Sequence, residues 1–332
     1  MPAEPPTAPF VARRPGAQPA AAVRAGTGDF GPLAVLLADP SVTDVFVNGA
    51  REVWVDRGTG LERQASLGFL DTELRDLAVR LVGLGGRHID EANPCVDTRL
   101  HDGIRVHAVL APISPQGTLL SIRIPHQQPF SLDDLERAGF FSTVPSSVVR
   151  SLVATRQNLL ITGAGGSGKT TLLSALLGEA APTERIVAIE DVAELRVRHP
   201  HFVALEARQA NLEGAGGLGL ARLLREALRM RPDRLVLGEC RGAEIRELLG
   251  ALNTGHDGGA GTLHANSLDD VPARLEALGA LADLSSTAIA RQAVSAIGSV
   301  LHIERSDGVR RLVQVGVFSL DHRDRLVVTE ST

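Results

Sequence analysis

Residues 159–171 combine residue types that could bind a phosphate group. A short apolar stretch, 159–162, runs into Gly163-x-x-x-x-Gly168-Lys169-Thr170, which is the spacing of a P-loop. Glycines let backbone N–H groups approach phosphate oxygens. The lysine supplies a charge for the β- and γ-phosphates, and the threonine hydroxyl is placed to ligate Mg²⁺. We therefore expect nucleotide binding by Gly163, Ala164, Gly165, Gly166, Ser167, Gly168, Lys169, Thr170 and Thr171, with Lys169 also acting in catalysis.

The residues after this loop favour a helix. Leu172, Leu173, Leu176 and Leu177 are apolar, and Gly178 closes the segment. Strand, loop and helix therefore follow in the order that a P-loop requires, and the N-terminus of the helix would point its partial positive charge at the phosphates.

A second apolar stretch, 186–189, is followed by two adjacent carboxylates, Glu190 and Asp191, and then by a third, Glu194. The carboxyl ends of strands in an open α/β sheet face the ligand crevice. Glu190 and Asp191 are therefore candidates to hold Mg²⁺, partly through water, and Glu190 is a candidate to orient an attacking water. The alternative is a solvated acidic turn.

A third apolar stretch, 235–237, leads through Gly238 to Glu239. This arrangement predicts a Walker B site with glutamate in place of aspartate, where the carboxylate holds Mg²⁺ through water or polarises the hydrolytic water. A solvated glutamate after a core strand is the alternative. The sequence leaves open whether Glu190 or Glu239 is the general base.

Histidines and arginines form two further candidate groups. His256 and His264 lie in the glycine-rich segment 254–267, and His264 at a strand end could sense a γ-phosphate, although structural roles are possible for both. Arg222, Arg225 and Arg229 share one face of the helix predicted over 218–230. Such a stripe is usually solvated, but Arg225 and Arg229 are candidates to meet a neighbouring subunit's phosphates.

The rest of the chain divides by its patterns. Residues 1–28 are rich in proline and alanine and indicate a disordered tail without a secretory signal. Residues 29–125 predict a small α+β domain, and the proline-bounded segment 126–145 predicts a linker. Residues 146–332 alternate helices with strands, which is typical of an α/β sheet flanked by helices. The strands are expected at 158–162, 185–190, 202–206, 234–238 and 260–264, and near 299–304, 310–317 and 324–328.

Composition limits the kind of protein. The 332 residues carry a net charge of −5, which gives no overall attraction to nucleic acid or to an anionic membrane. Nine Phe, one Trp and no Tyr leave few rings on which nucleotide bases could stack. Cys95 and Cys240 lie far apart, so we expect a reducing cytoplasm and no zinc site. No apolar run has the length of a membrane-spanning helix.

Together these motifs resemble the secretion ATPases of the type II/type IV secretion superfamily. The resemblance covers about residues 30–320 and rests on several motifs in the family's order. They are the Walker A loop at 163–170, an acidic box at 189–194, His199-Pro200-His201, the Gly238-Glu239 pair and a histidine box at 255–267. Segments 227–234 and 251–259 are most similar to the Flp/Tad pilus assembly branch. The chain departs from the family pattern at Cys240, where an aliphatic residue is usual, and it lacks the four cysteines of the branch that carries a zinc module.

The resemblance implies a RecA-like P-loop ATPase domain preceded by a smaller, PAS-like α+β domain. It implies a homohexameric ring that uses ATP and Mg²⁺, with Arg105 and Arg123 of the first domain closing over the phosphates. Its partners would be inner-membrane platform proteins of a pilus or secretion system, met from the cytoplasmic face of the membrane, with no direct nucleic-acid contact.

Three alternatives to a secretion motor stay open. One is a DNA-handling motor, which stimulation of ATP turnover by DNA would support. Another is a nucleotide-binding scaffold without turnover, against which the intact Lys169, Thr170, Glu190 and Glu239 argue. A small-molecule kinase is the third, although no second substrate pocket is visible in the sequence.

Overall fold

The computed structural model describes residues 27–58, 60–100, 103–124, 129–208, 216–306 and 308–331. The chain forms two compact units. One comprises residues up to 57 together with 61–124, and the other comprises 58–60 and everything from 125 onward. The tail predicted at 1–28 lies outside the described residues except for its last two positions.

The first unit is a six-stranded antiparallel sheet with a helical layer. In spatial order the strands run β3-β2-β1-β6-β5-β4. Their bounds are β1 (Asp44–Asn48), β2 (Val53–Asp56), β3 (Leu61–Arg63), β4 (Cys95–Arg99), β5 (Arg105–Val109) and β6 (Leu119–Arg123). The helical elements are a 3₁₀ segment (Thr27–Leu33), α1 (Ala34–Ala38) and α2 (Asp71–Leu84).

Alternation builds this first core. Val45 and Val47 of β1 are buried while their neighbours are not, so one face of the strand packs inward. Helix α2 contributes residues three or four apart, including Leu74, Leu77 and Leu81, and all three are buried. The sheet and the helix therefore form one α+β layer pair around a single apolar cluster.

The second unit contains an eight-stranded sheet in the order β14-β13-β12-β7-β11-β10-β8-β9. From β12 to β9 neighbouring strands are parallel, whereas β13 and β14 are added antiparallel at one edge. The strands are β7 (Leu159–Gly163), β8 (Ile186–Glu190), β9 (Phe202–Glu206), β10 (Arg234–Leu237), β11 (Ala260–His264), β12 (Ser299–Ser306), β13 (Val309–Leu320) and β14 (Leu326–Glu330).

Helices cover both faces of this sheet. In chain order, the first three helices of this unit pack on one face of the sheet and the last four helices pack on the other, with an apolar cluster on each side. Because both faces are covered, every residue of β7, β8 and β10 is buried. The helices are α3 (Leu132–Arg137), α4 (Ser146–Ala154), α5 (Lys169–Gly178), α6 (Leu220–Leu228), α7 (Ile245–Leu252), α8 (Val271–Leu281) and α9 (Ser286–Ala296).

The segment 126–145 differs from the predicted linker where the structure describes it. Residues 132–137 form α3, capped by the Ser131 hydroxyl, which accepts a hydrogen bond from the Asp134 N–H. Leu132, Phe140 and Phe141 are buried in the core of the second unit. Pro129 and Pro145 flank this helix in the sequence, and the apolar residues between them pack into the core.

Candidate nucleotide-binding site

The P-loop joins the end of β7 to the start of α5. Gly163, Gly166 and Gly168 have positive φ angles of 152°, 70° and 101°, which side chains disfavour. A Cβ on Gly163 would lie 2.4 Å from the Ile303 carbonyl oxygen and 2.6 Å from the Ser167 Oγ. The glycine spacing is thus required by backbone conformation and by the close approach of the neighbouring strand β12.

The ammonium group of Lys169 lies inside this loop. Its Nζ donates to the carbonyl oxygens of Gly163 and Ala164, at 2.9 Å each. Burial lowers the pKa of Lys169, and the carboxylate of Glu239 opposes that shift. The positive charge is therefore held where a phosphate bound by the loop would meet it.

Glu239 follows β10 and lies between two basic side chains. Its Oε1 lies 3.0 Å from His264 Nε2, and its Oε2 accepts a 2.7 Å hydrogen bond from Arg241. Burial alone would raise the pKa of Glu239, but the Arg241 hydrogen bond and the charges of Arg241 and Lys169 outweigh it and hold the pKa below its ordinary value. The carboxylate is ionised at neutral pH.

His264 ends β11 beside the P-loop. Burial and then the charge of Lys169 lower the pKa of His264, although Glu239 acts in the opposite direction. The imidazole is therefore neutral at pH 7, and its Nε2–H donates to the carboxylate of Glu239. A Cβ on Gly165 would lie 3.7 Å from His264 Cε1, so the ring borders the space that a side chain at position 165 would fill.

Glu190 occupies a different setting at the end of β8. The residue is 4% exposed, and its Oε1 accepts hydrogen bonds from the N–H groups of Glu194 and Leu195 at 2.9 and 3.0 Å. Gly238 makes room for it, because a Cβ there would lie 2.6 Å from Glu190 Cγ. Glu190 thus shapes the acidic loop that follows it.

Arg241 connects that acidic loop to Glu239. Its guanidinium lies 4.0 Å from the Asp191 carboxylate as well as 2.7 Å from Glu239. The Glu239 hydrogen bond, and then the charges of Asp191 and Glu194, raise the pKa of Arg241. The sequence analysis did not assign Arg241 to the site, although it follows the Walker B glutamate by two positions.

These residues fit a nucleotide polyphosphate and its metal ion. Ser167 Oγ is buried at the centre of the loop and has no hydrogen-bond partner among the described residues. The loop opens onto the first turn of α5, whose free N–H groups attract anions. No group of three or more His, Cys, Asp or Glu side chains among the described residues could hold a metal ion by itself, so Mg²⁺ would rely on phosphate oxygens together with ligands from the predicted set, Thr170, Glu190, Asp191 and Glu239.

The comparison with protein families decides the family. The model of the family described as "Type II/IV secretion system protein" matches residues 27–305. The chain belongs to this secretion family. A putative conjugal transfer protein of Mycobacterium tuberculosis (strain H37Rv) is 48% identical over 295 residues, covering 86% of this chain and 84% of its own. The type IV secretion system protein PtlH of Bordetella pertussis is 34% identical over 267 residues, covering 72% and 77%.

Solved structures show the fold of this secretion-family chain. The pilus retraction motor PilT with bound ADP matches with a TM-score of 0.58 at 17% identity, over 90% of this chain and 80% of that one. The ATPase DotB of Legionella pneumophila matches with a TM-score of 0.57 at 18% identity, over 94% and 82%. The predicted fold class, a RecA-like domain preceded by a smaller α+β domain, is confirmed.

The predicted arginines lie on other surfaces of the two units. Arg225 pairs with Glu247 of α7, and Arg229 lies 3.9 Å from Glu226 on its own helix. Both therefore belong to the exposed side of α6 and its C-terminal end, whereas Lys169 begins α5 and Glu239 follows β10. Arg105 and Arg123 face each other in register on β5 and β6 of the first unit.

A second histidine adjoins the P-loop strand and was missed by the sequence analysis. His302 of β12 is fully buried, and its Nδ1 lies 2.9 Å from the Thr162 hydroxyl. Burial is the largest cause of its lowered pKa, so the ring is neutral. The available signal in the sequence was a histidine inside an apolar strand, one residue before Ile303.

The other histidine of the glycine-rich segment is structural in this fold. His256 Nδ1 lies 3.2 Å from the Ala251 carbonyl oxygen at the end of α7. The loop that contains it precedes β11, whereas His264 ends that strand. The two histidines are close in the sequence, but they therefore lie at opposite ends of β11.

No helix among the residues that the structure describes is long and apolar enough to cross a membrane.

Proposed function

We propose that this chain is an ATPase motor of a secretion or pilus assembly system. The observation that carries the proposal is the grouping of three side chains around one P-loop: Lys169 at the start of α5, Glu239 shortly after β10 and His264 at the end of β11. Family membership supports the secretion context. The work would be delivered from the cytoplasmic side to membrane-embedded platform proteins, and the Flp/Tad type is the finer assignment that we propose.

In this proposal the P-loop residues 163–171 hold the phosphates of ATP and Lys169 neutralises their charge. Mg²⁺, when bound, would compensate the negative charge that develops on the phosphoryl oxygens. Thr170 and Glu239 are the proposed ligands nearest the loop, with Glu190 and Asp191 acting through water. His264, neutral and hydrogen-bonded to Glu239, would change partners when the γ-phosphate is lost.

Glu239 is the better candidate for orienting the attacking water. Its side chain keeps 25% exposure and its charge is stabilised by Arg241. The Glu190 carboxylate is already engaged by two backbone N–H groups of the loop that follows it. Removing its charge would disturb the acidic loop, so we propose an indirect, positioning contribution for Glu190.

The test is phosphate release by the purified chain with MgATP. Glu239→Gln keeps the shape of the side chain and should bind ATP but release phosphate about 10²–10³ times more slowly, a typical loss for one preorganised polar group. Glu330→Gln, at the exposed end of β14, is the matched control and should turn over at the wild-type rate. Equal rates for wild type and Glu239→Gln would contradict the proposed role of this carboxylate.

A homohexameric ring is the proposed active assembly. Arg105 and Arg123 of the first unit, and Arg225 and Arg229 on α6, are the proposed arginines that reach a phosphate across domains or subunits. Such an arginine can contribute about 10³–10⁵ in rate. Specific activity should therefore rise with protein concentration in parallel with assembly measured by light scattering. A constant specific activity over a range in which the chain assembles would contradict this arrangement.

DNA transfer is the second candidate function. It is favoured by the names of two relatives, the conjugal transfer protein of M. tuberculosis and TrbB of Rhizobium radiobacter, which is 31% identical over 289 residues and 85% of each chain. The net charge of −5 argues against direct contact with DNA. Turnover that rises when double- or single-stranded DNA is added would favour this candidate, and unchanged turnover would favour a protein or pilus cargo.

A further inference from the structure

The hairpin of β12 and β13 contacts the P-loop through an arginine that no motif predicted. Arg310 is the second residue of β13, and its Nε donates a 3.0 Å hydrogen bond to the Gly166 carbonyl oxygen. The same side chain adjoins a second residue of the loop, because a Cβ on Gly168 would lie 3.3 Å from Arg310 Cδ. One arginine therefore bonds to one loop glycine and fills the space beside another.

This hydrogen bond fixes the orientation of a peptide group inside the loop. In a trans peptide the C=O and the following N–H point in opposite directions. With the Gly166 carbonyl turned to Arg310, the Ser167 N–H faces inward, where it donates to the Ala164 carbonyl oxygen at 3.3 Å. Gly166 has a φ of 70°, a conformation that lets consecutive N–H groups form an anion-binding concavity.

The strand that carries Arg310 is itself anchored. Two residues further on, Leu312 is fully buried, and its N–H donates to the Phe140 carbonyl oxygen at 3.0 Å. The opposite position on β12 is Arg305. Like charges directly opposite one another destabilise an antiparallel pair, so the cross-strand pairing with Arg305 does not account for an arginine at position 310.

We propose that Arg310 is a positioning residue of the nucleotide site, which holds the Gly166 carbonyl outward so that the P-loop N–H groups face the phosphates. This inference rests on the proposed function, because it assumes that the loop binds nucleotide. It adds the β12–β13 hairpin to the parts of the protein on which nucleotide affinity depends.

The donor atom permits a sharp substitution. Because Nε rather than a terminal nitrogen makes the bond, Arg310→Gln places an amide nitrogen at the same number of bonds from Cα, without the charge. Arg310→Ala removes the donor, and Arg310→Lys keeps the charge with the donor one atom further out. Arg311→Ala is the matched control on the same strand, since Arg311 lies opposite Glu304 on β12.

Two measurements on the full-length chain test the proposal. The first is the affinity for ADP and for a non-hydrolysable ATP analogue. The second is hydrogen exchange of the nucleotide-free protein in peptides covering 163–170 and 299–318. We expect Arg310→Ala to lower the affinity for both ligands by a similar factor of about three to ten, which is the loss typical of one hydrogen bond. Exchange should rise in the P-loop peptide, whereas Arg310→Gln and Arg311→Ala should resemble wild type in both measurements.

Three results would overturn the inference: unchanged affinity in Arg310→Ala, a loss confined to the ATP analogue, or rescue by Arg310→Lys but not by Arg310→Gln. The second would mean direct contact with the γ-phosphate, and the third a purely electrostatic contribution. Failure of the wild-type chain to bind either nucleotide would instead contradict the proposed function. The exchange measurement without nucleotide distinguishes these cases, because it reports on the P-loop whether or not the chain binds nucleotide.

Discussion

The two ends of the parallel strands in the second unit hold their polar groups differently. At the amino ends, Arg234 is 4% exposed and donates to Glu184 at 2.7 Å, to the Val153 carbonyl oxygen at 3.0 Å and to the Gly258 carbonyl oxygen at 3.3 Å. Asn158 there bridges Ala296 and Gly259. Each of these groups is occupied by a partner within the protein.

At the carboxyl ends of the same sheet the polar groups are more open. The side chains of Glu239 and His264 keep 25% and 42% exposure, and the Lys169 ammonium is bonded to carbonyl oxygens of its own loop. A buried polar group must be satisfied internally, whereas a group that awaits a ligand must remain reachable. One end of the sheet is thus committed to stability, whereas the other keeps exposed polar groups, as the proposed nucleotide site requires.

The largest expected effect tests the amino end. Glu184→Ala removes the partner of the buried Arg234, whose side chain is 5% exposed, and leaves a charge without its counterion. We expect a loss of about 3–5 kcal/mol in the free energy of unfolding, measured with urea. Glu226→Ala, which removes the partner of the exposed Arg229, is the control and should change it by about 0–1 kcal/mol. Similar small losses of unfolding free energy in both variants would contradict the difference that we describe between the two ends of the sheet.

The next effect tests the carboxyl end. Lys169→Ala should lower the rate of ATP hydrolysis by at least about 10²–10³-fold, because the charge that meets the phosphates is lost. Its free energy of unfolding should change less than that of Glu184→Ala, since the amine carries a burial penalty that its removal relieves. Near-wild-type turnover in a folded Lys169→Ala protein would mean that the P-loop is not the catalytic site.

A smaller effect tests how closely the strand ends are packed. Gly238→Ala would place a Cβ 2.6 Å from Glu190 Cγ, so the carboxylate and the acidic loop must shift. We expect a loss of about 1–3 kcal/mol in stability together with a lower kcat. Gly250→Ala, in an open position of α7 with nothing within 4 Å, is the control and should stabilise the chain by about 1 kcal/mol. A Gly238→Ala variant with unchanged stability and turnover would show that the acidic loop tolerates displacement.

Much of the second unit could be predicted from sequence because its strands are short apolar runs that end in functional residues. The prediction of 202–206 coincides with β9, and that of 260–264 coincides with β11. The short strands β3 and β4 were not predicted. All three residues of β3 are exposed, and β4 has only one buried residue, so neither carries an apolar pattern.

The parts of the candidate site that lie within one local motif could be predicted from the sequence. The contacts between residues far apart in the sequence could not. The P-loop spacing predicted the glycines and Lys169, and the strand-end rule predicted Glu239 and His264. Arg310 arrives from a position 144 residues beyond Gly166, and only the antiparallel hairpin at β12–β13 brings it to the loop. Similarly, the burial of Glu190 depends on the absence of a side chain at Gly238, which a reading of either strand alone does not reveal.

Hydrogen exchange with and without MgADP tests most directly which end of the sheet serves as the nucleotide site. The account predicts that MgADP slows exchange in peptides that cover 163–170, 239–241 and 262–265, at the carboxyl ends of the strands. Peptides that cover 153–158, 184–185 and 257–259, at the amino ends, should exchange at the same rate in both conditions. Protection confined to the amino-end peptides, or no protection at saturating MgADP, would contradict the assignment of the nucleotide site.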